Sequence, residues 1–83
     1  MARLLYFSWV REKIGVSSET LPLPPEVVTV QALLDFLKTR DEVHASALAH
    51  PALRVAVNQT HARPTDPVAD GDEIAIFPPV SGG

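Results

Sequence analysis

The sequence contains no cysteine, and its four glycines are scattered except for the last two. The absence of cysteine excludes disulfide bonds, thiolate zinc sites and cysteine nucleophiles. Because Gly15, Gly71, Gly82 and Gly83 form no clustered motif, the sequence also lacks a phosphate-binding loop. If the protein handles sulfur, the sulfur must lie on a group other than a thiol side chain.

Long apolar runs and net positive charge are missing as well. No run approaches the roughly 20 apolar residues that span a bilayer, and Arg3 interrupts the pattern of a signal peptide, so we expect a cytoplasmic protein. The net charge of −3 disfavours nucleic acid as a partner and fits, weakly, a partner with a basic docking surface. A chain of 83 residues, 46% of them apolar, is typical of one small soluble domain.

The polar side chains predict no self-contained active site. The histidines lack metal-ligand spacing, and we expect surface or structural roles for all three: His44, His50 and His61. The serines lie outside a G-x-S-x-G setting. An acidic cluster around a turn signal indicates a solvated corner rather than a catalytic pair: Asp70, Asp72 and Glu73. The remaining candidate reactive group is the main-chain carboxylate of Gly83.

Five short segments have the composition and alternation of β-strands. They lie at residues 2–7, 20–23, 53–58, 61–63 and 73–77. In the first segment, Leu4 and Tyr6 share one face. The opposite face carries Arg3, Leu5 and Phe7. Apolar residues on both faces indicate a central strand or a face kept for a partner.

The most regular helical pattern follows Thr29, a residue typical of N-caps. Its apolar stripe has the spacing of one helix face and consists of Val30, Leu33, Leu34 and Leu37. Lys38 and Arg40 are predicted in the last turn, where cations suit the helix dipole. This segment is therefore the predicted main helix.

Two shorter helical segments complete the pattern. The first is capped by Ser8 and closed by Gly15, and the second covers residues 44–50 before Pro51. Several strands and one main helix predict an α+β fold in which one face of a sheet grips the helix. The natural candidate is the ubiquitin-like β-grasp fold, a mixed sheet of four to five strands. In that fold, the first and last strands lie parallel at the centre of the sheet.

Residues 1–77 are predicted to form this domain, and residues 78–83 an extended C-terminal tail. Pro78 and Pro79 fix φ and cannot continue a central strand, so the tail begins stiff. The Gly-Gly end has no Cβ atoms and fits a narrow slot. The last five residues can reach roughly 16 Å from the body. The sequence therefore predicts a slim carboxylate tip that enters another protein's active site.

The Gly83 carboxylate is a poor electrophile and needs an external activator, most simply ATP, which gives an acyl adenylate. An amine that displaces AMP gives a conjugate, whereas sulfide or a persulfide gives a thiocarboxylate. The second product carries sulfur without a cysteine, which is compatible with the composition. The residues alone leave both routes open.

Several short runs resemble a known family, the small, sulfur-carrier subunits of molybdopterin synthase. These runs are Leu-Tyr-Phe at 5–7, Val-Arg-Glu at 10–12, Val-Asn-Gln-Thr at 57–60, Asp-Gly-Asp-Glu at 70–73 and Phe-Pro-Pro-Val-Ser-Gly-Gly at 77–83. A Gly-Gly end alone is shared by all ubiquitin-like carriers. The long C-terminal run together with Val-Arg-Glu is much more specific.

The resemblance implies a β-grasp fold and a sulfur-carrying role. It implies that an E1-like adenylating enzyme uses ATP to activate Gly83, which a sulfur donor then converts to a thiocarboxylate. The tail would enter the large synthase subunit and give its sulfur to cyclic pyranopterin monophosphate, in a heterotetramer of two large and two small subunits. The chain itself would bind no cofactor and no metal.

The resemblance also implies site residues. Phe7, His61 and Phe77 would lie on the docking face, and Arg11 would make a polar contact to partners. Gly82 would act beside the terminal glycine. The partner-binding part of the tail would consist of Pro78, Pro79, Val80 and Ser81.

Three other functions remain open at this point. The chain could carry sulfur for thiazole or another sulfur-containing product, or it could be a protein modifier conjugated through Gly83 to lysines. A plain interaction domain with an incidental tail is a third alternative, but the 77–83 run argues against it. The genes beside this one would discriminate between the two sulfur-carrier roles.

Overall fold

The computed structural model describes residues 1–79, and the predictions for Val80, Ser81, Gly82 and Gly83 lie outside these described residues. Eight elements follow in the order β1 (Ala2–Tyr6), α1 (Ser8–Ile14), β2 (Ser18–Leu21), α2 (Val30–Lys38), α3 (Glu42–Ala47), β3 (Arg54–Val57), β4 (Thr60–Ala62) and β5 (Glu73–Phe77). Within residues 1–79, every helix is too short or too polar to cross a membrane.

The five strands form one mixed sheet with the order β2-β1-β5-β3-β4. Strands β1 and β5 are parallel neighbours, with Arg3 opposite Glu73 and Tyr6 opposite Ile76. The other neighbouring pairs are antiparallel. Since β5 is the middle strand and β1 lies next to it, the predicted α+β, ubiquitin-like β-grasp fold is confirmed.

The core lies between one face of the sheet and the helices. Its largest fully buried side chains are Leu4, Tyr6, Val10, Val30, Leu33, Leu37, Ile74 and Ile76. Strand alternation explains the selection, because β5 buries Ile74 and Ile76 and turns Ala75 and Phe77 to the opposite face. The predicted faces of the first and last strands are therefore confirmed.

The main helix begins and packs as predicted, but it ends earlier. The Thr29 hydroxyl accepts a hydrogen bond of 3.1 Å from the backbone N–H of Ala32, which satisfies one of the free donors at the helix start. Leu34 is only half-buried, so it lies at the margin of the apolar stripe. Arg40 lies beyond the helix, whose last residue is Lys38. The placement of Arg40 in the last turn was therefore wrong.

Strand β2 lies two residues earlier than predicted. Leu21 is its last residue and pairs with Ala2, and Pro22 follows without an N–H group to extend the ladder. The backbone N–H of Leu23 donates instead to the Asp70 carboxylate at 3.0 Å. The prediction at 20–23 was wrong because Pro22 itself, rather than the later proline pair, ends the strand.

The caps of the two short helices also differ from the prediction. Phe7 occupies the N-cap of α1 in an extended conformation without a side-chain cap bond, whereas Ser8 is the first helical residue and has φ 57°. Gly15 closes α1 in the left-handed region, as predicted, and donates to the Arg11 carbonyl at 2.8 Å. Helix α3 begins two residues early because the Asp41 side chain caps it, accepting from the His44 N–H at 2.8 Å.

Strands β3 and β4 form a tight hairpin with slightly different ends from those predicted. β3 is shorter than the predicted 53–58, and β4 covers 60–62 rather than 61–63. Asn58 and Gln59 connect them with φ values of 50° and 70°, a left-handed conformation that stops the strand. The Asn58 amide donates to the Asp72 carboxylate at 3.1 Å, which holds the hairpin against the start of β5.

Candidate functional site

The face of the sheet opposite the core carries a row of small and apolar side chains. The strand registers place Leu5 beside Ala75, Ala75 beside Ala56, and Ala56 beside His61. Each of these residues is exposed or half-buried, in contrast to the fully buried residues of the other face. Within residues 1–79, the helices cover the core face of the sheet and leave this row uncovered. The row is therefore accessible to a partner.

The structure brings the three predicted docking residues to one end of this open face. The rings of His61 and Phe77 meet edge to face, with centroids 5.7 Å apart and planes at 82°. Phe7 continues β1 in extended conformation, and its N–H donates to the Ile76 carbonyl at 3.2 Å. Its side chain is 46% exposed and leaves the strand on the side of Leu5. We call Phe7, His61 and Phe77 the aromatic patch.

The tail begins at the aromatic patch. Pro78 and Pro79 are half-buried and follow Phe77 directly at the end of β5. Arg11 is exposed and lies one helical turn after Phe7, whose carbonyl accepts its N–H at 3.4 Å. Every described residue of the predicted site therefore lies near the end of β5.

The acidic corner serves to hold the turn before β5. The Asp72 carboxylate accepts from the N–H of Ala69 at 2.9 Å, and Asp70 binds the N–H of Leu23. Glu73 lies 3.8 Å from the Arg3 guanidinium. Among residues 1–79, no cluster of three or more histidine or carboxylate side chains is arranged to hold a metal ion.

A partly buried polar network on the core side was not predicted from the sequence. The Glu19 carboxylate accepts hydrogen bonds from the Tyr6 hydroxyl at 2.7 Å, His44 Nε2 at 2.8 Å and the Arg40 guanidinium at 2.8 Å. His44 Nδ1 lies 2.9 Å from an Asp41 oxygen. Carboxylates only accept, so all of these hydrogen bonds form together only when both ring nitrogens donate, which is the charged form of the imidazole. His44 is thus structural, in agreement with one of its two predicted roles.

The network shifts the pKa values of its members. Burial alone would raise the pKa of Glu19, but the hydrogen bonds from Tyr6, His44 and Arg40 outweigh burial and lower it to about 2. Burial would lower the pKa of His44, but the hydrogen bonds to Glu19 and Asp41 outweigh burial and raise it. Burial, reinforced by the Glu19 hydrogen bond, raises the pKa of Tyr6. The hydrogen bonds of this network link β1, β2 and α3 on the core side of the sheet, whereas the aromatic patch lies on the open face.

We expect stability to be greatest at mildly acidic pH. The contribution of Glu19 to stability is complete above 4.5, the ordinary pKa of glutamate. It is lost as the pH falls towards the lowered pKa of about 2, because the carboxylate becomes protonated. The contribution of His44 to stability is complete below 6.5, the ordinary pKa of histidine. It is lost as the pH rises through the raised pKa of His44, because the imidazole loses its proton. The measurement is the urea midpoint as a function of pH.

Matched histidine variants separate this network from general charge effects. His44→Gln should remove most of the loss of stability above neutral pH, whereas His50→Gln, at an exposed histidine outside this network, should retain that loss. An unchanged alkaline limb in His44→Gln would show that this imidazole does not carry the pH dependence.

Comparisons with known proteins agree with this geometry and with the motifs. The ThiS family model matches residues 4–83. The molybdopterin synthase sulfur carrier subunit of Escherichia coli (strain K12) is 39% identical over 83 residues, which cover all of both chains.

Solved structures share the same fold. SAMP1 from Haloferax volcanii has a TM-score of 0.74 and 28% identity, over 99% of this chain and 98% of that one. One chain in the complex of subunits 1 and 2 of molybdopterin-converting factor from Helicobacter pylori 26695 matches with a TM-score of 0.65 and 22% identity. The match covers 99% of this chain and 97% of that one, and at this identity it shows the fold alone. The chain therefore belongs to the ThiS family and is a relative of the molybdopterin synthase sulfur carrier subunits.

Proposed function

We propose that this chain is the sulfur-carrier subunit of a molybdopterin synthase. The observation that carries the proposal is the 39% identity to a sulfur carrier subunit over the whole of both chains. The fold supports it, because the tail begins at the end of the central strand β5, beside an open face with exposed aromatic side chains. The absence of cysteine is compatible with a carrier whose sulfur is held by the main chain.

The proposed chemistry takes place at the Gly83 carboxylate. A carboxylate oxygen attacks the α-phosphorus of ATP on an E1-like enzyme and releases pyrophosphate. Sulfide that displaces AMP from the acyl carbon gives the thiocarboxylate directly. A persulfide gives an acyl disulfide, and a second thiol then attacks its S–S bond, leaving the thiocarboxylate and a disulfide of the donor. That sulfur passes to cyclic pyranopterin monophosphate, and water attacks the acyl carbon as its C–S bond breaks, which restores the Gly83 carboxylate. The chain supplies the acyl group and its docking surface, and ATP is bound by the activating enzyme.

The proposed partner in sulfur transfer is the large synthase subunit. The Helicobacter pylori structure is a complex of two molybdopterin-converting factor subunits and contains a chain of this fold. We propose that the aromatic patch and Arg11 dock on the large subunit, in a heterotetramer of two large and two small subunits. Residues 78–81 would then guide Gly82 and Gly83 into its active site.

Intact mass spectrometry tests the proposed function. The chain is incubated with the activating enzyme, ATP and a sulfur source, and the expected product has one oxygen of the terminal carboxylate replaced by sulfur. Addition of the large subunit and the pterin precursor should return the chain to its original mass. A chain that stays unmodified under conditions in which the Escherichia coli carrier is converted would contradict the proposal.

Protein modification is a second candidate function. It is favoured by the likeness to SAMP1 of Haloferax volcanii, at a TM-score of 0.74 and 28% identity. The full name of that protein is small archaeal modifier protein 1. In the same mass experiment, a modifier would give conjugates of higher mass in a cell extract supplied with ATP. A sulfur carrier would give the thiocarboxylate alone.

Phe77→Asp should weaken docking to the large subunit and leave the domain folded. Phe77 lies on the open face and packs on His61, so a charge there removes an aromatic anchor without entering the core. An anchor of this kind is commonly worth about 2 kcal/mol or more at an interface. Calorimetry measures the affinity, and circular dichroism checks the fold.

Val28→Asp provides a matched control for this variant. Val28 is 56% exposed and lies outside the aromatic patch, so the same charge there should leave affinity nearly unchanged. Wild-type affinity in Phe77→Asp, or its outright unfolding, would remove Phe77 from the docking surface.

A further inference from the structure

A small cleft lies between the main helix and the edge of the sheet formed by β3 and β4. Its volume is about 250 Å³. Val30 and Leu34 line it from α2, and Leu53, Val55 and Ala62 line it from the sheet side. The volume is below the roughly 300–1,000 Å³ that is usual for small-molecule sites. A side chain or two of a protein partner therefore fits this cleft better than a cofactor does.

Two arginines lie at the same end of this cleft. Val55 pairs with Ala62 at the end of the β3–β4 ladder. Arg54 begins β3 and Arg63 follows the last residue of β4, so both adjoin this pair, and both line the cleft. Both are exposed, and in the described part of the chain neither forms an ion pair with a carboxylate. Two guanidinium groups beside one end of a cleft make that end electropositive, which suits an anionic group of a partner.

The cleft is continuous with the aromatic patch. Arg54 lies directly opposite Phe77 in the β3–β5 ladder, and Arg63 follows two residues after His61. A partner seated on the aromatic patch would therefore meet Arg54 at its margin. The local charge is the reverse of the net charge of −3, so the basic partner surface suggested by composition does not suit this edge.

We propose that this cleft extends the docking surface and receives a segment of the large subunit in which a carboxylate adjoins an apolar side chain. The carboxylate pairs with Arg54 and Arg63 at the rim, where the cleft meets the open face, and the apolar side chain fills the space lined by Leu34 and Ala62. The inference rests on the proposed function, which supplies the partner. It adds that the partner surface is acidic at this edge.

Charge reversal tests the electrostatic half of the proposal. Arg63→Glu and Arg54→Glu should each weaken binding to the large subunit by on the order of tenfold or more, because they place like charges together. The salt dependence of binding should become shallower in each variant. Lys38→Glu makes the same change of charge at the other end of α2 and should leave affinity within about twofold of wild type.

A photoreactive side chain at Pro64 tests the apolar half. Pro64 lines the cleft and its carbonyl accepts from Gln31, a bond that a side-chain replacement keeps. After irradiation with the large subunit, the crosslinked peptide should contain Asp or Glu next to an apolar residue. No crosslink, or a peptide without a carboxylate, overturns the proposal.

The outcomes separate this inference from the proposed function. Binding that is lost in Phe77→Asp but unchanged in both arginine variants overturns the cleft and leaves the sulfur-carrier function standing. If Arg54→Glu and Arg63→Glu impair adenylation by the activating enzyme but not binding to the large subunit, the large subunit is not the partner that fills the cleft. A chain that forms no thiocarboxylate at all removes the proposed function itself.

Discussion

Gly82→Val should nearly abolish sulfur transfer, with a loss on the order of 100-fold or more in rate. The argument rests on the order of residues in the tail, where two prolines come first and two glycines stand only at the tip. A linker that merely needed flexibility would contain glycine and serine throughout. Glycine confined to the tip indicates that a Cβ there would collide with a narrow channel. A displacement of about 1 Å at the reacting carbon is enough for a loss of this size.

The test bypasses the activating enzyme. The thiocarboxylate of each variant is prepared chemically, and its single-turnover sulfur transfer to the pterin precursor is followed on the large subunit. Gly82→Ala should be impaired to a lesser degree, and binding of both variants should remain near wild type because the aromatic patch is intact. Transfer at the wild-type rate by the Gly82→Val thiocarboxylate would assign any defect to adenylation instead.

Leu33→Ala and Leu37→Ala should each destabilise the domain by roughly 2–5 kcal/mol. Both side chains have no exposed surface and pack between α2 and the sheet, so truncation leaves a cavity in the core. Leu34→Ala is the matched control, because the neighbouring leucine is only half-buried and should cost clearly less. Urea midpoints measure the differences. Equal losses at Leu33 and Leu34 would show that burial does not set the cost here.

The elements predicted best are those whose signals are local. The apolar stripe and the Thr29 cap are contained in ten residues, and both lie where they were predicted. Strand β5 was predicted with its observed ends, because a turn precedes it and a proline pair follows it. The parallel pairing of β1 and β5 followed from the order of the elements and from the resemblance, since no local signal specifies a partner 70 residues away.

The errors have specific physical causes. Pro22 ends β2. The strand starts at Ser18, before the predicted start, because its pairing with β1 extends to that residue. Helix α3 starts two residues before the predicted range of 44–50, because the Asp41 carboxylate caps it. Phe7 replaces Ser8 at the cap of α1, since hydrogen bonding to β5 holds it in extended conformation. In each case a specific contact overrides a weaker propensity.

The candidate site divides in the same way. Alternation along β1 and β5 predicted that Phe7 and Phe77 share the open face, and the structure places them there. The role of that face stays a prediction, as does the role of the tail. The network around Glu19 was missed because its partners Tyr6 and His44 are 13 and 25 residues away in the sequence. Only the folded chain brings them together.

The parallel arrangement of β1 and β5 also determines how the domain responds to mechanical load. The chain enters β1 at Ala2 and leaves β5 at Phe77, which are opposite ends of the same ladder. A force that pulls the tail away from the start of β1 acts along both strands and loads all their hydrogen bonds together. An antiparallel pair would open one bond at a time. A load applied between the tail and the start of β1 is therefore resisted by the whole β1–β5 ladder at once.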